Sequence, residues 1–400
     1  MQFVGVIAEY NPFHNGHAWQ LAQLRAAGAK TIAVAMSSGA VQRGELPLLP
    51  DRVRCAAALG GGADLVFALP APWAASGAES FARAGVWLLA NAGCDTLAFG
   101  AETPDSALLM KAAQVLRSAE YTETLQTLLA DGAPSFAVAR AAAAEAVCPG
   151  LGLEQLLSRP NDNLAVEYCK AILELEQQGF ALQTFVLPRQ GADHNDGLPA
   201  GNGARYASAS ALRQLWHSGR QQLAAFVPPQ AMALYEAAAQ RGEDTDPVRF
   251  EVALLARLRG MTVADLARVR GVNEGLEHRL AAQLRTAVTA DGLYDAMTGV
   301  RYPRARMRRL CLDAALGYTG DALPERPPYL QLLGGRKAAL PLLGGCRLPV
   351  STALAKLEKQ SEGCAAVVRA QSRADALGTL CRRSPAAAGA CCTDPAVLVE

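Results

Sequence analysis

Short runs that are apolar at every position alternate with helical patterns over the first hundred residues. Residues 3–8, 31–36, 64–69 and 96–99 read as strands, with helices over 17–27, 51–59 and 79–92 between them. Gly28 and the glycines at 60–62 stop the first two helices, and Pro70 stops the third strand. Strands that are apolar on both faces must be covered on both, and strand–helix alternation returns each strand parallel to the last. The pattern predicts a parallel sheet between helical layers. Residues 105–179 are mostly helical in period, including 163–178, and 182–187 returns to the sheet. A polar, glycine-rich loop over 191–206, of the length that often carries function, leads to a short helix over 208–218.

Val227-Pro228-Pro229 marks a boundary, after which residues 230–316 are almost wholly helical, and the prolines of 324–328 mark a second. The expected organisation is an α/β domain over 1–226, a helical domain over 227–323 and a small mixed region over 324–400. The pattern does not give the fold of that last region.

Composition changes this picture little. The chain is 51% apolar with a net charge of +1, an ordinary soluble balance that still allows a locally basic face to bind nucleic acid. The apolar start is short and lacks a basic leader, so it reads as a buried strand and not as a signal peptide. No apolar run reaches the roughly 20 residues of a membrane span, and a cytoplasmic, membrane-free protein is expected. The ten cysteines include no Cys-x-x-Cys pair and no histidine at zinc-finger spacing, so reduced thiols and no metal site are expected.

The candidate chemistry sits in Tyr10-Asn11-Pro12-Phe13-His14-Asn15-Gly16-His17, between the first strand and the first helix. Open parallel sheets bind ligands at the carboxyl ends of their strands, and a helix N-terminus offers free amides and a positive dipole end. Two imidazoles three residues apart can face one anion and stabilise a phosphoryl group under attack, while Gly16 lets a phosphate approach the backbone. The alternative is that one histidine caps the helix and the other packs. Ser208-Ala209-Ser210-Ala211-Leu212-Arg213 opens a helix after the last strand; its hydroxyls and arginine suit phosphate, or Ser208 is an ordinary N-cap.

These segments resemble the two motifs of the HIGH-type nucleotidylyltransferases, the second being similar to their Ser-Ser-Thr-x-Ile-Arg signature. The chain as a whole resembles the tRNA(Met) cytidine acetate ligase family of that superfamily. Further matching pieces run in order: Val41-Gln42-Arg43-Gly44, Gly62-Ala63-Asp64-Leu65-Val66, Phe99-Gly100-Ala101-Glu102, Pro160-Asn161-Asp162-Asn163-Leu164, Leu187-Pro188-Arg189, Val272-Asn273 and Arg301-Tyr302-Pro303.

The resemblance implies a Rossmann-like parallel-sheet nucleotidylyltransferase (HUP-type) domain, a mostly helical domain and a small mixed C-terminal region. It implies an ATP site of Ile7, Ala8, Glu9, Tyr10, Asn11, Pro12, Phe13, His14, Asn15, Gly16, His17 and Gln20, with Gly100, Asn161 and Arg189. Ser208, Ser210 and Arg213 would hold phosphates, and His14 and His17 would be catalytic. The implied reaction joins acetate to ATP as acetyl-adenylate, then transfers the acetyl group to the wobble cytidine of elongator tRNA(Met). Mg2+ would accompany the phosphates without dedicated protein ligands.

Arg301, Arg304, Arg306, Arg308 and Arg309 crowd nine residues without an acid and form the expected tRNA surface; interdomain ion pairs are the other reading. The chain departs from the family pattern at Ser38-Gly39-Ala40, Arg52-Val53 and Asp193-His194-Asn195. A nucleotidylyltransferase that adenylates a small phosphorylated substrate, or a non-catalytic ATP- or tRNA-binding protein, stays open at this point.

Overall fold

The structure is a computed structural model that describes residues 1–189, 206–273, 275–320 and 322–400. Its strands are β1 (Phe3–Ala8), β2 (Thr31–Ser37), β3 (Leu65–Leu69), β4 (Thr96–Ala101), β5 (Gln183–Pro188), β6 (Leu330–Arg336), β7 (Val350–Ser351) and β8 (Val397–Val399). They form one sheet in the order β5-β4-β1-β2-β3-β6-β7, with β8 beside β6. The first five are parallel. The chain winds from β1 through β2 to β3, then crosses back to β4 and β5 on the other side of β1. The crevice between the carboxyl ends of β1 and β4 is therefore the switch point where such sheets bind ligands.

Alternate residues explain the layers. Ala33, Ala35, Leu65 and Phe67 enter a core beneath helices Ala78–Asn91 and Pro160–Glu176. Val34, Met36 and Val66 enter the opposite core, with helices Asn15–Ala26, Asp51–Gly60 and Ala209–Ser218. Both faces are buried, as the continuous apolar runs require.

Two features depart from the expected organisation. Helix Pro229–Gln240, expected to open the helical domain, packs Ala231, Met232, Tyr235 and Ala238 into the core of the α/β domain. Its apolar face finds more surface on helix Asp51–Gly60 than on the helices that follow. The C-terminal region, whose fold the pattern did not reveal, returns to the sheet: β6 pairs antiparallel with β3, and β8 parallel with β6. Residues 247–316 form their own helical core around Leu254, Leu280, Leu293 and Met307. Helices Arg304–Leu316 and Glu362–Leu380 then meet the α/β domain in one cluster of Ala40, Ala71, Leu312, Tyr318 and Ala370. Among the described residues, no helix is long and apolar enough to cross a membrane.

Candidate active site

β1 ends at Ala8, and the chain turns sharply through residues 9–14 before helix Asn15–Ala26 begins. Tyr10 takes a left-handed backbone conformation (φ 47°), uncommon for a bulky residue, and the Asn11–Pro12 peptide is cis. The turn is held by its own interior. Tyr10 and Phe13 are fully buried with rings 4.9 Å apart, edge to face. The Asn11 carboxamide oxygen accepts from the Leu48 amide at 2.7 Å, and Tyr235 Oη donates to the Phe13 carbonyl at 2.9 Å. The Asn15 amide and side chain donate to the carbonyls of Phe226 and Ala225. Tyr10, Asn11 and Phe13, expected as ATP contacts, thus have side chains turned into the protein; they support the turn, because apolar rings at this junction are stabilised by burial beside β2.

His14 is the helix N-cap, and its Nδ1 accepts from the Gly16 amide at 3.0 Å. His17 Nδ1 accepts from the His14 amide at 3.3 Å, completing a reciprocal capping box in which histidines replace the usual Ser and Glu. The rings stack with centroids 3.8 Å apart. The two readings of the motif therefore coexist: His14 caps the helix and both rings remain presented together. An Nδ1 that accepts fixes the proton on Nε2, so each ring has an Nε2–H donor, and neither Nε2 has a partner among the described residues. Burial, with the nearby Arg189 charge, pushes the His14 pKa down to about 3; burial, His14 and Arg189 lower that of His17. Both rings are neutral at pH 7. A Cβ at Gly16 would lie 2.9 Å from the His14 ring, so the glycine makes room for that ring as well as for an approaching anion.

Across the crevice, Glu102 follows β4 and organises the start of helix Pro160–Glu176. It accepts from the Asp162 amide at 2.7 Å, from the Asn161 amide at 3.3 Å and from the Asn161 carboxamide. Asn161 in turn accepts from Arg189, whose amide is anchored on the Ala101 carbonyl at 3.1 Å. A Cβ on Gly100 would sit 3.8 Å from Arg189 Cγ, over the same crevice. His14, His17, Gly100, Asn161 and Arg189, drawn from four separate segments, thus converge. Ile7, Ala8, Pro12 and Gln20 belong to the strand end, turn and first helix beside them.

The second motif supports the turn from behind. Ser208 is buried and caps its helix through the Ala211 amide at 3.2 Å. Arg213 donates to the Asn11 carbonyl at 2.9 Å, lies 3.5 Å from Ser210 Oγ and pairs with Glu45 at 3.2 Å. Ser208 and Arg213, expected on phosphate, are engaged by protein groups.

Arg54 and Glu102 had no role assigned from the sequence, and Glu9, expected at the ATP site, has its carboxylate engaged by the protein. Arg54 is fully buried, donating to the carbonyls of Leu49 and Glu9 (3.1 and 2.6 Å) and pairing with Asp51. Glu9 accepts from the Gln42 amide at 2.7 Å, and burial raises its pKa despite that bond. Glu102 lay inside a matching segment, but nothing in its spacing showed that it caps the helix carrying Asn161.

The arginine cluster divides. Arg308 pairs with Glu45 and Arg309 donates to the Gln42 carbonyl at 3.3 Å, both against the α/β domain. Arg304 pairs with Asp291 and Asp295. Arg306 donates to the Gly271 carbonyl and the Asn273 carboxamide, both at 3.3 Å, and pairs with no acid among the described residues, and Arg301 is exposed. One helix cannot aim positions 304, 306, 308 and 309 the same way, since successive residues lie about 100° apart around it. The departures at Ser38 and Arg52 face the C-terminal region. Ser38 Oγ bonds Asp51 and accepts from Gln371 at 2.9 Å, and Arg52 pairs with Asp394 at 3.6 Å as well as with Glu243. His194 and its neighbours lie outside the described residues. All ten cysteines are free.

Neutral N–H donors at a helix N-terminus on the switch point of a parallel sheet define a nucleotide-binding protein of the nucleotidylyltransferase type. The HIGH Nucleotidyl Transferase family model matches residues 1–388. The tRNA(Met) cytidine acetate ligase of Syntrophotalea carbinolica is 34% identical over 90% of this chain and 87% of its own. That of Latilactobacillus sakei is 33% identical over 84% and 82%. Crystal structures of Thermotoga maritima TmcAL, apo and bound with alpha-thio ATP, superpose with TM-scores of 0.89 and 0.87 over the whole of this chain and 100% and 99% of theirs. At 24% identity that likeness is one of fold. The chain belongs to the tRNA(Met) cytidine acetate ligase family of HIGH nucleotidyl transferases, a family of ligases.

Proposed function

We propose that this protein activates acetate with ATP and acetylates the exocyclic amine of the wobble cytidine of elongator tRNA(Met), in the cytoplasm. The observation that carries the reading is the pair of stacked, neutral imidazoles at the end of β1, beside Arg189, whose Nε2–H donors have no partner among the described residues. Donors held in place before the reaction stabilise charge on the α-phosphoryl group with little reorganisation. An acetate oxygen attacks the α-phosphorus, the bond to the bridging oxygen breaks, and pyrophosphate leaves with the electron pair. The cytidine amine then attacks the acetyl carbonyl; AMP leaves and the amine loses a proton. Free acetate has no leaving group until the first step supplies one.

ATP would lie with its phosphates on the His14–His17 turn and its nucleoside toward Gly100, Asn161 and Arg189. Among the described residues no group of three His, Cys, Asp or Glu side chains could hold a metal, so Mg2+ would be held by the phosphates. The α/β core with helix Pro229–Gln240 would serve activation, and residues 247–316 would serve tRNA. Within the basic cluster, Arg301 and Arg306 are best placed for RNA phosphates, because acids offset Arg304 and Arg308.

The test is acetate-dependent exchange between ATP and labelled pyrophosphate, followed by transfer of labelled acetate to tRNA. His17→Ala, shown folded by circular dichroism, should lose exchange. Near wild-type exchange in that variant would remove the site assignment, and label entering tRNA only from acetyl-coenzyme A would remove the mechanism.

A further inference from the structure

The last segment of the chain carries two adjacent thiols that the chemistry above does not use. Cys391 and Cys392 lie in helix Ala390–Thr393, a single turn between helix Glu362–Leu380 and β8. Their sulfurs are 3.8 Å apart. Of the ten cysteines, Cys392 is the exposed one, and Cys391 is half-buried with its sulfur 4.0 Å from Ser372 Oγ. Burial and the Asp375 carboxylate push the Cys391 thiol up, so it stays protonated while Cys392 meets solutes first. Tyr329 is buried with its Oη unpartnered among the described residues, and Cys364, Cys391 and Cys392 are among the groups that act on it. A buried donor without an acceptor is unfavourable, and a sulfur gaining negative charge would answer it.

The turn is held in its helical form from outside. Asp375 accepts from the amides of Gly389 and Cys391 at 3.0 and 3.2 Å, and the amides of Cys392 and Thr393 donate to the Gly389 carbonyl. Successive helical residues point about 100° apart. Neighbouring Cα atoms are about 3.8 Å apart, whereas a relaxed disulfide spans about 4.4–6.8 Å between its Cα atoms. A bond between these two sulfurs therefore requires the turn to open. The strain left in so small a ring makes the bond easy to reduce again.

We propose that Cys391 and Cys392 form a reversible oxidation site, closed to a vicinal disulfide by a low-molecular-weight disulfide and reopened by the corresponding thiol. The Cys392 thiolate attacks one sulfur of the small disulfide, and one thiol leaves. Cys391 then gives its proton to water and attacks the Cys392 sulfur, releasing the second thiol. Two protein thiols lose two electrons, and the external S–S bond takes them up. Closure sacrifices the Asp375 bonds. It also pulls on Asp394, which pairs with Arg52, and on β8, which is held on β6 from Val397 to Val399. The oxidised protein thus has a looser C-terminal strand.

The test uses the full chain in glutathione buffers of rising disulfide content, with free thiols alkylated before digestion by trypsin. Cleavage after Arg383 gives residues 384–400, in which Cys391 and Cys392 are the only cysteines. The wild-type peptide should lose two hydrogens and escape alkylation, and dithiothreitol should restore both thiols. Cys391→Ser should stop at the glutathione adduct on Cys392, since no second thiol releases it. Hydrogen exchange at the Gly389 and Cys391 amides should be about tenfold faster or more in the oxidised protein. A glutathione adduct persisting on wild-type Cys392 would overturn the proposal, as would two thiols that stay open to alkylation or a cross-link to Cys364. Unchanged exchange at 389–391 in protein shown to carry the ring would overturn the opening of the turn.

Discussion

Gly44→Ala tests whether the 41–45 turn is the seam between the nucleotide domain and the helices. Gly44 has φ +72°, and its missing Cβ would lie 2.5 Å from Arg309 N, 2.6 Å from Arg308 C and 2.9 Å from Arg309 Cα. All three are backbone atoms of one helix, so no side-chain rotation relieves the overlap. The left-handed backbone costs an alanine about 1–2 kcal/mol. Clearing the contact requires the helix to retreat by roughly 1 Å, given ordinary contact distances near 3.5–4.0 Å. That retreat stretches the Arg308–Glu45 pair and the Arg309–Gln42 bond, worth about 1–3 kcal/mol together. The expected loss is therefore roughly 2–5 kcal/mol. Gly132→Ala is the control: its φ is +85° with no atom within 4 Å of the added carbon, so it carries only the backbone cost. Urea melts of both variants, followed by near-ultraviolet circular dichroism, measure the difference. Equal destabilisation by the two would refute a tight seam at Gly44.

Three further outcomes follow from the same contacts. Glu102→Gln removes the carboxylate that orients Asn161 and caps its helix, so ATP affinity should fall several-fold while the melt shifts by no more than about 1 kcal/mol; calorimetric titration with a non-hydrolysable ATP analogue reads it. His14 titrates near 3 in the folded protein and near 6.5 unfolded, so below pH 6.5 the unfolded chain binds the extra proton. Stability should be complete above that pH and decline as pH falls toward 3, and His14→Asn, which keeps an N-cap, should flatten the decline in urea melts taken across that range. Arg308→Gln should lower the melting temperature with tRNA affinity falling only in step, whereas Arg301→Gln with Arg306→Gln should leave the melt intact and reduce the salt dependence of tRNA binding, with a slope change of up to about 1 per lost phosphate contact; an unchanged slope would move the RNA surface elsewhere.

The sequence by itself determined the elements of the α/β domain, because its strands are apolar at every position and glycine or proline ends each unit. Helices expected over 51–59 and 79–92 occur as Asp51–Gly60 and Ala78–Asn91. It also located the His14–His17 turn, since a strand end, a helix start and two imidazoles coincide within eight residues. Partners far apart along the chain were not legible. The 3.2 Å bond by which Ser208 caps its own helix was not legible, nor was the pairing of Arg308 with Glu45, which depends on which side of one helix meets the α/β domain. The return of β6 to β3 was hidden because Leu330-Gln331-Leu332-Leu333-Gly334-Gly335-Arg336 is a short segment of mixed polarity, stabilised by a neighbour more than 260 residues earlier. Local pattern reports which residues prefer burial and where backbone regularity stops. Only the tertiary structure decides which buried surface receives them, because that depends on shapes and charges supplied by other parts of the chain.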